Sequence, residues 1–230
     1  MKVAILVLGL LALATTAFAW DPSHVNGGGP VNVPNVRDAF YCQSPSGSWN
    51  ASNASAGFQS EMADDIPNDW VGRTVNQVTF YVAQWGGGPT PPGSFVVNFY
   101  NGACPPGQSP VASFDIPWGE LNATFVYQSS WYVWQITANL PTDVTIVSNM
   151  SIGGYSNNNW GQNPPYMGLV ICDQISGCGQ GYEAGATWGC PRWSLLSCMF
   201  GTAEDVAYCL GGGVTATQPS TWGQIRSLYR

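Results

Sequence analysis

Apolar and polar residues alternate along most of this chain, with a period of two. Residues 75–83 place Val78, Phe80 and Val82 on one face, and residues 94–101 do the same with Phe95, Val97 and Phe99. Residues 124–127, 131–137, 144–147, 151–155, 167–172 and 205–210 continue the series. This period, with its β-branched and aromatic enrichment, predicts strands. Turn clusters separate the runs: Gly86-Gly87-Gly88-Pro89, Pro91-Pro92-Gly93, Pro105-Pro106-Gly107 and Asn157-Asn158-Asn159. No helical pattern lies between them. Many short strands joined by Gly/Pro turns predict an all-β fold, an antiparallel β-sandwich or jelly roll, over residues 36–213.

The ends read differently. Residues 1–19 have the form of a secretory signal peptide. Lys2 supplies the positive charge, Ile5 to Leu13 the apolar stretch, and Ala17-Phe18-Ala19 the cleavage site. No later segment is apolar for long enough to cross a bilayer, so no membrane insertion is expected after cleavage. Residues 20–35 are rich in Gly, Asn and Pro and read as an extended N-terminal segment. Gly211-Gly212-Gly213 closes the strand region. Residues 214–230 then read as a linker and a short C-terminal tail helix, with Trp222, Ile225, Leu228 and Tyr229 on one face as an attachment element.

Composition narrows the function. Charged residues are 8% of the chain and aromatics 13%, which excludes disorder. Loss of residues 1–19 leaves five Arg against 13 acidic residues, a net charge of −8. Nucleic acid wants a basic stripe, so nucleic-acid partners are excluded. Seven cysteines (Cys42, Cys104, Cys172, Cys178, Cys190, Cys198 and Cys209) in an exported chain read as a disulfide framework with one left over. Five of them crowd residues 172–209, so that stretch is expected to be irregular and to hold at least two bridges of its own.

Three segments carry a family resemblance. Met62-Ala63-Asp64-Asp65-Ile66, followed by the strand to Val82 and Trp85-Gly86, is similar to an A-D-D-F, strand, W-G opening. Glu204-Asp205-Val206-Ala207-Tyr208-Cys209-Leu210-Gly211 is similar to a closing D-L-A-F-x-L-x-G strand. Trp222-Gly223-Gln224-Ile225-Arg226 is similar to a W-G-x-I-[KR] tail. Together they resemble secreted bacterial β-sandwich domains of the jelly-roll, carbohydrate-binding-module-like kind. The resemblance implies the fold, export and an extracellular or cell-surface location. It supplies no catalytic residues.

The chemistry on offer is sparse. His24 is the single histidine and lies in the N-terminal segment, which argues against imidazole-based catalysis. Paired carboxylates are the remaining catalytic option, and Glu61 with Glu120 is the pair that could converge. Asp64-Asp65 and Glu204-Asp205 would lie on neighbouring opening and closing strands. They either hold a structural calcium or accept hydrogen bonds from turn N–H groups. Flat rings beside amides suit sugar recognition, which points to Tyr155, Trp160 and Tyr166 with Asn158 and Gln162; Trp85 and Trp118 are further candidates. The alternative for any of these rings is core packing.

The leading expectation is a non-catalytic extracellular module that attaches to polysaccharide or to surface proteins. The alternatives are a structural subunit that self-associates into a fibre or coat, and a small glycan-active enzyme.

Overall fold

A computed structural model describes residues 24–25, 38–45, 51–85, 93–128, 131–157, 166–172, 175–185 and 189–212. The expected signal peptide, most of the N-terminal segment, Asn158, Trp160, Gln162 and the tail with Trp222, Ile225, Leu228 and Tyr229 lie outside these residues.

The expected fold is the observed one. Among the described residues fifteen strands form two antiparallel sheets. Nine belong to the larger: β1 (His24–Val25), β2 (Ala39–Gln43), β3 (Ala51–Asn53), β5 (Thr74–Trp85), β8 (Asn122–Gln128), β9 (Tyr132–Thr145), β11 (Tyr166–Cys172), β14 (Asp205–Val206) and β15 (Tyr208–Gly211). Six form the smaller: β4 (Ser60–Asp65), β6 (Ser94–Asn101), β7 (Pro110–Pro117), β10 (Met150–Asn157), β12 (Tyr182–Gly185) and β13 (Cys190–Leu195), in the order β13-β12-β4-β10-β6-β7. Among the described residues no helix is long and apolar enough to cross a membrane.

The inward face of each sheet is the apolar half of its alternation. Val78, Phe80 and Val82 of β5 meet Phe95, Val97 and Phe99 of β6 in one buried core, with Ile136, Ile152, Leu169 and Tyr208 around them. The Phe80 and Phe95 rings lie 5.5 Å apart, centroid to centroid. Each large apolar side chain buried this way contributes roughly 1.5–3 kcal/mol. β5 is covered on its other face as well, where Tyr81, Ala83 and Trp85 pack with Val133, Val170 and Ala207. The apolar run Val78–Ala83, interrupted only by Thr79, reflects this two-sided burial. Trp85, a sugar candidate in the sequence, is therefore a core residue, fully buried.

Three expectations need correction. Residues 131–137 and 144–147 are not separate strands: β9 runs through Pro141. The register passes from Gln77 opposite Asn139 to Val75 opposite Val144, and Pro141 falls in the resulting bulge, where no ladder donor is required. The cysteine-rich stretch is not irregular, because β12, β13, a helical turn at Ser197–Phe200, β14 and β15 all lie in it. It also holds one bridge of its own, Cys190–Cys198, and not two. Cys209 pairs with Cys42, its register partner on β2, and Cys178 pairs with Cys104 in the turn that follows β6. Partners 167 and 74 residues apart meet only once the strands are paired. Cys172 is buried and belongs to none of these three pairs.

Candidate functional site

Strand β4 carries the chemistry of the smaller sheet. Met62 points into the core, so Glu61 points to the outward face. The same parity puts Asn98 and Tyr100 of β6 on that face, between the inward Phe95, Val97 and Phe99. Gly153 of β10 lies opposite Ala63, and a Cβ on it would come within 2.9 Å of the Glu61 Oε1 and of the Ala63 Cβ. Glycine there leaves room for the Glu61 carboxylate to lie flat on the sheet.

That carboxylate is buried, at 5% exposure, yet it lines an open cleft of about 430 Å³. Its Oε1 accepts hydrogen bonds from the Asn98 amide at 2.8 Å and the Tyr100 hydroxyl at 2.6 Å. The Arg192 Nη2 lies 3.4 Å from its Oε2 and donates to the Tyr100 hydroxyl oxygen at 3.0 Å. Burial pushes the Glu61 carboxyl above its ordinary range, and the Asn98, Tyr100 and Arg192 donors oppose that rise. Burial and the Glu61 charge hold the Tyr100 phenol far above its usual value, so it stays a donor. The guanidinium stacks over the Trp193 ring at 4.2 Å and near Tyr100 at 5.6 Å. Trp193 is itself fixed by its indole N–H, which donates to the Gly107 carbonyl at 3.0 Å.

Tyr155, named from the sequence, lines this cleft. Tyr166 lies on β11 of the larger sheet, in register with Trp85. Trp118 packs edge-on against Trp134 at 5.9 Å, away from the cleft. Glu120 sits exposed in the turn at Trp118–Glu120 and does not line the cleft, so the Glu61–Glu120 pair is not assembled. Sequence reasoning missed Asn98, Tyr100, Arg192 and Trp193. The signal for the first two was present, as polar positions on the outward face of a strand whose inward face is wholly apolar. Arg192 carried no local signal.

The second acidic group lies elsewhere. Asp64 and Asp205 do not sit on neighbouring strands: β4 and β14 belong to opposite sheets, and the two side chains meet across the sandwich. The Gln43 amide bridges them, its Nε2 3.2 Å from the Asp64 Oδ2 and 3.0 Å from the Asp205 Oδ2. The Val206 N–H donates to Asp64, the Ser176 N–H to Asp205 and the Cys178 N–H to Asp65, at 3.0, 2.7 and 3.2 Å. Glu204 stands apart, accepting from the Thr202 hydroxyl at 2.9 Å. A hard cation needs oxygens turned toward one point. Here an amide nitrogen occupies the space between the two carboxylates, as the hydrogen-bonding alternative requires. The two places where a carboxylate nears two sulfurs, at Asp65 and at Glu183, are built on Cys104–Cys178 and Cys190–Cys198, so those sulfurs are in bridges.

Burial raises all three aspartates. Asp64 is pushed well up by burial and by the Asp205 charge, Asp65 is raised by burial, and Asp205 is pushed up to about 7. The Cys104–Cys178 bridge holds the turn that supplies the Ser176 and Cys178 N–H groups. Gly177 in that turn has φ +58°, and a Cβ there would collide with the Asp65 carboxylate.

The chain matches no family model, no curated protein and no solved structure.

Proposed function

We propose that the protein is an exported, non-catalytic module that attaches to a polysaccharide through the cleft on the outward face of its smaller sheet. One observation carries this reading: a buried carboxylate with fixed donors lies beside a partly exposed tyrosine on rigid strands. Concave sites with a few convergent polar groups are where small ligands bind. A sugar ring can stack on Tyr155 while its hydroxyls exchange hydrogen bonds with Glu61 and Asn98. The Asn98 amide, whose Nδ2 donates to Glu61, lines the same cleft. Strand-borne groups hold their geometry better than loop-borne ones, so little ordering is needed on binding.

The same cleft argues against glycoside hydrolysis. That chemistry uses two carboxyl groups flanking the bond, and Glu61 is the one acid among the described residues lining the cleft. The three disulfide pairs suit an oxidising compartment, which supports export. The fibre-subunit alternative rests on the seventh cysteine, which is the buried Cys172, and on residues 20–35 and 214–230, nearly all of which lie outside the described residues.

A glycan array, followed by titration calorimetry on its hits, tests the proposal. Tyr155→Ala and Asn98→Ala should each lower affinity about tenfold, or ~1.4 kcal/mol, with the protein still folded by circular dichroism. Binding that survives both substitutions, or an array without hits, would sink it.

A further inference from the structure

Arg192 is the least expected residue in the cleft. The chain has five Arg, and one of them is placed against a buried acid in a sheet face otherwise lined by amides, hydroxyls and rings. A simple ion pair would use the guanidinium differently. Among the described residues only Nη2 is engaged, and it is shared between the Tyr100 hydroxyl at 3.0 Å and the Glu61 Oε2 at 3.4 Å. The Nη1 and Nε donors have no hydrogen bond to any described residue. The side chain is 35% exposed while its Glu61 partner is 6% exposed, so the pair has a wet end, and that end is the arginine. Stacking on Trp193 at 4.2 Å fixes the guanidinium plane. A planar, fixed, half-exposed fork with spare N–H donors is the geometry that takes a carboxylate through two parallel bonds.

We propose that the ligand of the cleft is an acidic polysaccharide, and that Arg192 reads the carboxylate of a uronate unit, with Glu61 setting how much of the arginine's charge the ligand meets. This rests on the attachment reading above and narrows it to one substrate class. The chain's net negative charge does not forbid it. Exposed charges are screened over about 8–10 Å at ordinary salt, so the groups in the cleft decide.

Those groups can be named. Asn98 and Tyr100 of β6 and Arg192 of β13 hold Glu61 directly. Tyr155 of β10 feels the charges of Glu61, of Asp115 of β7 and of Arg192, and the Asn157 amide holds Asp115 at 2.8 Å. Asp65, on the same strand as Glu61, is engaged by the Cys178 N–H. With Glu61 ionised, Glu61 and Arg192 together are neutral, and an incoming carboxylate meets a like charge beside its arginine. When Glu61 takes up a proton, the pair becomes cationic. Burial raises the Glu61 carboxyl, so this gain begins at a higher pH than for an exposed glutamate. Uronate binding therefore strengthens as pH falls, until the sugar carboxylate itself is protonated.

The experiment is calorimetric titration of the full protein with hexagalacturonate and with cellohexaose, at pH 7 and pH 5. The wild type should favour hexagalacturonate, more so at pH 5. Arg192→Gln should cut the hexagalacturonate-to-cellohexaose affinity ratio at least tenfold, and Arg192→Lys, which keeps the charge without the fork, should fall between. Glu61→Gln, which imitates the protonated acid, should raise hexagalacturonate affinity several-fold at pH 7 and flatten the pH response. Equal or better binding of cellohexaose by the wild type, or an Arg192→Gln ratio that does not move, overturns the uronate assignment and leaves the attachment reading standing. Failure of both oligomers and of every polysaccharide on the array overturns both.

Discussion

Glu61 and Asp64 are three residues apart on one strand and have opposite fates. Glu61 faces outward, and Asp64 faces the core. Both carboxyl groups are buried, both are raised by burial, and both accept hydrogen bonds from other strands. They differ in what remains. Asp64 is closed in by protein donors, the Gln43 amide and the Val206 and Asp65 N–H groups. Glu61 has donors from the sheet on one side and a cleft on the other. Burial alone therefore does not mark a candidate binding residue. What marks it is a satisfied inner side together with an open outer one. Two glycines repeat the lesson: Gly153 makes room for the Glu61 carboxylate beside the cleft, and Gly177 makes room for Asp65 under a bridged turn.

The largest test of this contrast is truncation at each site. Asp64→Ala strands a buried Val206 N–H and weakens the hold on Gln43, and no water path replaces the lost acceptor. It should cost roughly 2–4 kcal/mol in urea unfolding. Glu61→Ala opens onto a cleft that water can enter, so its cost should be smaller, about 1–2 kcal/mol. Equal costs would mean that the two sites are not differently sealed.

Next in size is the pH dependence of stability. The folded pKa of Asp64, Asp65 and Asp205 is raised above the unfolded value of about 3.9. The folded state then binds more protons than the unfolded state as these groups titrate, so stability falls as pH rises. The contribution is full below the unfolded pKa and, for Asp205, is lost through about pH 7. Scanning calorimetry from pH 4 to pH 8 should show a falling melting temperature, and Asp205→Asn should flatten the fall. A flat wild-type profile contradicts the sealed cluster. A melting temperature raised by millimolar calcium would mean that a cation, in place of protons, relieves the repulsion.

The smallest expected effect is Glu120→Gln. Exposed and away from the cleft, Glu120 should leave melting and glycan affinity unchanged within error. A clear loss of affinity would bring back the two-carboxylate arrangement that the geometry lacks.

Legibility in the sequence followed the range of each interaction. The strand over residues 94–101 emerges with the bounds its alternation predicted, because a period of two is written in adjacent residues. β7 went unread: it is an edge strand whose outward half is exposed and whose ends are Pro110 and Pro117, so neither apolar density nor propensity marks it. β12 and β13 were hidden behind a cysteine count that suggested loops. Of the site, Tyr155 was read for its ring, and Glu61 was read as half of a pair that does not form.

The chain by itself determined that there would be strands, which of their faces would be apolar, and that its cysteines would bridge, since these follow from local periodicity and composition. The tertiary structure alone decided the partners. It brought Arg192 to Glu61 across 131 residues, Cys209 to Cys42 across 167, and Asp205 to Asp64 from the opposite sheet. The physical reason is register. A one-residue slip in any of these pairings would turn the same side chains to the other face, and nothing within a single strand's sequence states which neighbour it will take.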